Sequence, residues 1–372
     1  MKLTIERAAL LRSLNHVQSV VERRNTIPIL ANVLLQSSDS GVKLTATDMD
    51  ISIVETVASQ IAAAGDTTAP AHTLYDIVRK LPEGAQVELD SNAEDGRLVL
   101  SSGRSRFVLA SLPTADFPAM SDGNLPHSFL ISAASLRALI DRTRFAISTE
   151  ETRYYLNGIY IHATEANGAP VLRAVATDGH RLARVESPLP EGAGGMPGII
   201  VPRKTVNELR KLIDECEGDV EVSLSETKIR FSFDGTVLSS KLIDGTFPDY
   251  EKVIPVGNDK LLEVDCHQLA AAVDRVATIS TERSRSVKLI IAPSSLTLSA
   301  SSPEAGSATE ELEVSYDKEA LEIGFNSRYL LDIAQQVEGE TVQVLLADGA
   351  SPTIVRDTAD ESALYVLMPM RV

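Results

Sequence analysis

Leu3-Thr4-Ile5 runs directly into the amphipathic stretch Ala8 to Val20. The same device returns at Phe129-Leu130-Ile131 before Ala133 to Ala146, and at Leu262-Glu263-Val264 before Gln268 to Ile279. In each copy the last apolar residue of the strand precedes the first Leu of the helix by five: Ile5 to Leu10, Ile131 to Leu136, Val264 to Leu269. Alternation followed by apolar residues at three- and four-residue steps predicts a strand and then a helix.

A second strand–helix device also occurs three times. Pro70 to Leu74 leads a pattern of Leu74, Ile77, Val78 and Leu81. Pro202 to Val206 leads Val206, Leu209, Leu212 and Ile213, and Asn326 to Leu330 leads Leu330, Ile333, Ala334 and Val337. Strands such as Gln86 to Leu89, Val220 to Leu224 and Val342 to Leu346 follow. Two copies close on similar words, Leu112-Pro113-Thr114-Ala115-Asp116-Phe117-Pro118 and Leu242-Ile243-Asp244-Gly245-Thr246-Phe247-Pro248, and the third on Leu367-Met368-Pro369.

The period is roughly a third of the 372 residues, far beyond the 20–50 of a solenoid. It predicts an α+β chain of three repeated domains, 1–125, 126–256 and 257–372, each with two helices packed on antiparallel β-sheets. Asn124-Leu125-Pro126 and Pro255-Val256-Gly257-Asn258 supply turn formers at the boundaries.

Similar domains in series close into a ring when their repeated contact permits it. If helices about 10 Å wide line the inside, the six of one chain leave a hole of about 9 Å. Twelve, from two chains, leave one near 28 Å, wide enough for a nucleic-acid duplex.

Composition bounds the alternatives. Apolar residues make up 44% and charged residues 23%, as in ordinary globular proteins. Aromatics are only 4% and Trp is absent, so Leu, Ile, Val and Ala must build the cores. No apolar run reaches the roughly 18–20 residues of a membrane span, and the N-terminus lacks the apolar stretch of a signal peptide. A cytoplasmic location is expected. The two cysteines, Cys216 and Cys266, exclude a disulfide framework and a thiolate-rich zinc site.

The net charge of −17 argues against a generally basic surface. Its distribution is uneven. Helices and their leading turns carry Arg7, Arg12, Arg23, Arg24, Arg79, Lys80, Arg137, Arg142, Arg203, Lys204, Arg210 and Lys211. Acids gather at Glu88 to Asp95, Glu215 to Glu226, Glu304 to Glu322 and Asp357 to Glu361. A ring basic inside and acidic outside would hold DNA through phosphates, without sequence preference.

Chemistry has little foothold. Thr177-Asp178-Gly179-His180-Arg181 is the most enzyme-like string, but a base needs a nucleophile or metal beside it, and none is identifiable. No G-x-S-x-G, H-E-x-x-H or P-loop pattern is present. Gly192-Ala193-Gly194-Gly195-Met196-Pro197 fails the dinucleotide pattern at Pro197 and reads as a loop between strands. No catalytic residue, metal ligand or cofactor is expected.

Several strings resemble the β subunit of bacterial DNA polymerase III, the sliding-clamp family. They are Arg23 to Leu30, Ser102 to Phe107, Arg153 to Gly158, Ala176 to Leu182, Val201 to Lys204, Asp244 to Tyr250 and Tyr365 to Arg371, spread over the whole chain. The resemblance implies a head-to-tail homodimeric ring of six domains, the DNA clamp fold. It implies a non-catalytic processivity factor that encircles double-stranded DNA. Such a clamp is opened by a clamp loader. It tethers the replicative polymerase α subunit and the repair and translesion polymerases through short hydrophobic peptides.

By the same resemblance Arg24, Arg79, Tyr154, Tyr155, Arg203, Lys204 and Lys211 meet DNA. Arginine suits phosphate through its planar fork, and tyrosine can stack on exposed bases. Glu150 and Glu151 depart from the family pattern, which leaves a contact there open. The partner-peptide groove is implied to comprise Leu156, Thr177, Gly179, His180, Arg181, Leu182, Pro248, Val253, Asn326, Tyr329, Val366, Met368, Pro369, Met370 and Arg371. Phe107, Leu109 and Ile279 are implied at the dimer contact. An apolar C-terminal stretch, Leu364 to Met370, agrees with a covered surface, since chain ends are usually polar and frayed. Its last strand can serve core and groove together, alternate residues facing opposite ways.

Overall fold

Each half of each third is a strand, a helix and three strands, as the computed structural model shows for residues 1–92, 96–118, 120, 123–280 and 285–371. Glu94, Asp95 and Val372 lie outside the described residues. The first third opens with β1 (Lys2–Glu6), α1 (Arg7–Val17), β2 (Asn32–Ser38), β3 (Gly41–Thr47) and β4 (Ile51–Val57), plus an extra β5 (Gln60–Ala63). Its second half is β6 (Asp66–Pro70), α2 (Ala71–Lys80), β7 (Gln86–Asp90), β8 (Arg97–Ser102) and β9 (Ser105–Ala110).

The middle third runs β10 (His127–Ser132), α3 (Ala133–Asp141), β11 (Gly158–Ala166), β12 (Ala169–Thr177) and β13 (Arg181–Pro188). It continues as β14 (Ile199–Pro202), α4 (Arg203–Leu212), β15 (Asp219–Leu224), β16 (Lys228–Phe233) and β17 (Thr236–Lys241). The last third is β18 (Lys260–Asp265), α5 (Cys266–Ala277), β19 (Ser286–Ala292), β20 (Ser295–Ser302) and β21 (Gly306–Glu313). Then come β22 (Leu321–Asn326), α6 (Ser327–Ala334), β23 (Thr341–Leu346), β24 (Thr353–Asp357) and β25 (Ala363–Leu367).

The helices form where the periodicity placed them. Leu10, Leu14 and Val17 of α1 are fully buried, each worth about 1.5–3 kcal/mol relative to exposure. Asp265 caps α5, its side chain accepting from the Gln268 amide at 2.8 Å. Several helices end before their apolar pattern does, α1 and α3 among them. The first α-helix stops at Val17, and Gln18–Val20 tightens to a 3-10 turn. The helix expected over Ala133 to Ala146 stops at Asp141. There Thr143 Oγ1 donates back to the Leu139 carbonyl at 2.5 Å, a local bond that competes with the helical ladder.

All strand pairings are antiparallel, and tertiary contacts divide the chain into two compact units. One comprises Met1–Arg137, Pro190–Pro197 and Lys204–Leu242. It holds a five-stranded sheet, β5-β1-β7-β8-β9, and an eight-stranded sheet, β10-β15-β16-β17-β4-β3-β2-β6. The other comprises Ala138–Leu189, Gly198–Arg203 and Ile243–Val372. It holds an eight-stranded sheet, β14-β11-β12-β13-β25-β24-β23-β18, and a four-stranded sheet, β21-β20-β19-β22. Each eight-stranded sheet joins strands of consecutive thirds, at β17–β4 in one unit and β13–β25 in the other. Gly192 to Pro197 is a loop between β13 and β14, as read from sequence. Among the described residues no helix is long and apolar enough to cross a membrane.

Candidate functional site

In the second unit, the turn between β12 and β13 is locked by its own side chains. Asp178 Oδ1 accepts from the amides of His180 (2.9 Å) and Arg181 (3.1 Å). Thr177 Oγ1 accepts from the Gly179 amide and donates to the Arg181 carbonyl. Gly179 takes φ +89°, a left-handed conformation that costs L-residues about 1–2 kcal/mol. The turn after β3 in the other unit repeats this scheme. Thr47 Oγ1 donates to the Ile51 carbonyl and accepts from the Met49 amide, while Asp48 Oδ1 accepts from the amides of Asp50 and Ile51.

This recurrence explains the enzyme-like string as architecture. The second oxygen of Asp178 is taken by Arg181 Nε at 3.0 Å, and the His180 ring stacks on Tyr329 with centroids 6.4 Å apart. Asp178 and His180 therefore form no proton-sharing pair. Arg181, 8% exposed, also donates to Asp332 Oδ2 at 2.5 Å and to the Phe145 carbonyl at 2.6 Å. Its guanidinium carbon lies 4.2 Å from the centroid of the Tyr329 ring, a cation–π placement. Burial lifts the Tyr329 phenol above its ordinary pKa, so it stays a neutral hydroxyl.

Around this anchor the residues expected to form the groove fall into four groups. Thr177 pairs with Leu182, Leu182 with Val366, and Val366 with Ile354, a row across neighbouring strands. Leu156, Leu182 and Val366 are buried in one apolar cluster with Phe247, Tyr250 and Leu364, so they form a floor. Pro248 and Val253 stand exposed. His180, Arg181, Asn326 and Tyr329 line a cavity of about 330 Å³. Asn326 caps α6, accepting from the Arg328 amide. Pro369, Met370 and Arg371 line a depression of about 560 Å³. The Met368 amide donates to the His180 carbonyl and the Met370 amide to the Gly324 carbonyl, which holds the tail in place.

The candidate nucleic-acid residues are divided between the units. In the first, Arg24 and Arg79 are exposed. Lys204 Nζ donates to Asp48 Oδ2 at 2.5 Å, with Glu22 3.5 Å away. Burial opposes the Lys204 charge, but the two carboxylates outweigh it and raise its pKa. Glu208, a buried acid with no sequence signature, accepts from Ser19 and from Lys211. In the second unit Tyr154 is 53% exposed and meets Tyr155 edge-on at 5.7 Å. The Arg203 amide donates to the Asn157 carbonyl just beyond them. Glu150 is engaged by Arg153 at 2.7 Å.

The basic asymmetry read from sequence needs correction. Arg7 is spent on the Val78 and Arg79 carbonyls, and Arg137 on those of Ile213 and Cys216. Arg142 pairs with Glu338 and Asp360, Arg12 with Glu215 and Arg210 with Asp214. Sequence shows a charge but not the partner that neutralises it. Of the residues expected at the dimer contact, Phe107 and Leu109 lie on β9, an edge strand. Ile279 follows α5, half-buried. Both cysteines are free and buried, and no cluster of three or more His, Cys, Asp or Glu suited to a metal occurs among the described residues.

Three matches to known families decide the assignment. Residues 1–121 match the N-terminal domain of the DNA polymerase III beta subunit, 130–249 its central domain and 251–371 its C-terminal domain. This chain belongs to that family.

The relatives agree. The chain is 56% identical to the beta sliding clamp of Caulobacter vibrioides and 40% identical to that of Escherichia coli K12, over the full length of each. A crystal structure of the DNA polymerase sliding clamp from Caulobacter crescentus superposes with TM-score 0.95 at 56% identity, covering both chains fully. A DnaN sliding clamp from Bartonella birtlesii bound to griselimycin superposes at 0.97 with 50% identity, again over both full chains. The chain's role is accordingly that of a DNA polymerase III sliding clamp, a processivity factor that catalyses no reaction.

Proposed function

We propose that two copies close head to tail into a ring that encircles double-stranded DNA, and that the single observation carrying this is the strand edge each chain leaves open. In every third, the first strand joins the last three to make one four-stranded set, such as β10-β15-β16-β17 or β18-β23-β24-β25. The remaining strands make a second set, such as β2-β3-β4 with β6. Sets of consecutive thirds join through their last strands, β17 to β4 and β25 to β13. The same rule leaves β9 and β21 over, each at a sheet edge. Unpaired edges are templates for another chain. A β9–β21 joint made twice by two protomers closes the series, with Phe107 and Leu109 on one side and Ile279 on the other.

On this reading the repeats at 1–125, 126–256 and 257–372 act as six domains around the duplex, in the cytoplasm. Arg24, Arg79, Tyr154, Tyr155, Arg203, Lys204 and Lys211 touch phosphates and exposed bases without sequence preference. The groove from Leu156 to Arg371 takes short hydrophobic peptides of the polymerase α subunit, the clamp loader and repair and translesion polymerases. Its thioether-bearing tail suits several partners.

Light scattering should give a dimer. After loader-driven assembly, the protein should stay on nicked circular DNA at salt that strips phosphate contacts, and leave once the circle is cut. Retention that survives linearisation would sink the ring.

A further inference from the structure

The apolar floor of the groove does not end at Leu182 and Val366. The next positions on the same face are Arg184 on β13, two residues beyond Leu182, and Arg356 on β24, two residues beyond the buried Ile354. Between them lies Leu364, which pairs with Arg184 and belongs to the floor cluster. These side chains, with Arg173, line a cavity of about 520 Å³. We propose that this cavity is an acidic extension site, in which Arg184 and Arg356 receive an Asp or Glu side chain flanking the hydrophobic motif of a peptide seated in the groove. The proposal rests on the groove reading above.

The arginines of the cavity are not equivalent. Arg173 has its donors committed: Nε to Glu186 at 2.8 Å, and Nη1 to the Tyr250 hydroxyl at 2.8 Å and to Glu251 at 2.7 Å. Arg184 is left short. Its Nε is buried without a hydrogen bond, 3.5 Å from a Glu186 oxygen that Arg173 already occupies. The Arg356 guanidinium has no ion-pair or hydrogen-bond partner among the described residues, although the carboxylates of Asp357 and Glu361 line the same cavity; Asp357 is spent on the amides of Glu338, Gly339 and Ala359. Burial, together with the Arg173 and Arg356 charges and against Glu186, pulls the Arg184 pKa below its ordinary value. Two half-buried guanidinium groups with spare donors form a receptor for a carboxylate, whose two oxygens match the planar fork.

Charge complementarity and continuity with the floor together favour an acidic residue of the groove's own peptide.

The test is fluorescence polarisation with a labelled hydrophobic peptide from the polymerase α subunit, extended at either end by two Glu or two Gln. With the intact dimer at about 0.1 M salt, the Glu extension at one end should bind about five- to tenfold tighter than Gln. That advantage should vanish in Arg184→Gln/Arg356→Gln, while the unextended peptide binds the variant as it binds the parent. Equal binding of Glu and Gln extensions to the parent overturns the proposal without needing any variant. So does an advantage that survives in the double variant. Inorganic phosphate bound at Arg184 and Arg356 with no Glu advantage would also overturn it, assigning the cavity to a small anion. Failure of the unextended peptide to bind the parent refutes the groove itself, and this site with it.

Discussion

The backbone amide of Met368 donates to the carbonyl of His180 at 2.9 Å, tying the C-terminal tail to a turn nearly two hundred residues earlier. The bond places the tail beside the turn whose Arg181 braces Tyr329. The tail continues past the end of β25 at Leu367, and its Met370 amide bonds in turn to the Gly324 carbonyl of β22.

Deletion of residues 368–372 should therefore abolish binding of the polymerase peptide. A loss of at least about tenfold is expected, with the dimer intact by light scattering. Normal peptide affinity in the deletion protein would remove the tail from the groove.

Gly179→Ala should cost about 1–2 kcal/mol. At φ +89° an added Cβ would also lie 2.6 Å from Arg153 Nη1. Arg153 is the end of a flexible side chain and can move, so the backbone strain should dominate. Urea unfolding checks the stability, and peptide titration should show weakened binding because His180 shifts with the turn.

Arg24→Gln and Arg79→Gln should leave the melting temperature nearly unchanged, since both side chains are exposed. Each should reduce the salt dependence of DNA affinity by about one unit of slope per lost phosphate contact. Unaltered slopes in both variants would remove these residues from the duplex contact.

His162 supplies a pH prediction. Burial and the Arg173 charge, only partly offset by Glu251 and Glu186, hold its imidazole below the ordinary 6.5. Its Nε2 lies 2.9 Å from the Tyr250 hydroxyl, and its ring stacks on Tyr160 at 4.7 Å. Above about pH 6.5 both folded and unfolded chains carry neutral His162, and the group is silent. Below it the unfolded chain gains a proton first, so folding stability falls until the lower native value is passed. His162→Gln should lose less stability than the parent between pH 7.5 and 5, measured by urea unfolding. Parallel pH profiles would contradict this.

Much of the site was legible because it is local. Thr177 to Leu182 and Met368 to Arg371 are contiguous strings, and their backbone bonds are made within a few residues or to an adjacent strand. The partners of Lys204, Glu208 and Arg142 were illegible. Asp48, Ser19 and Asp360 lie far away in the chain, and nothing at either end marks the pairing.

The amino-acid order alone determined the threefold repeat, its strands and helices, and which residues of each strand share a face. Apolar spacing records those local periods directly. Only the tertiary structure decided which strand edges meet, β17 with β4 and β13 with β25, and hence that Arg184 stands beside Leu364 at the end of the groove floor. Strand pairing is made by backbone groups common to every residue, so the apolar pattern fixes which face of a strand is buried but not which strand lies beside it.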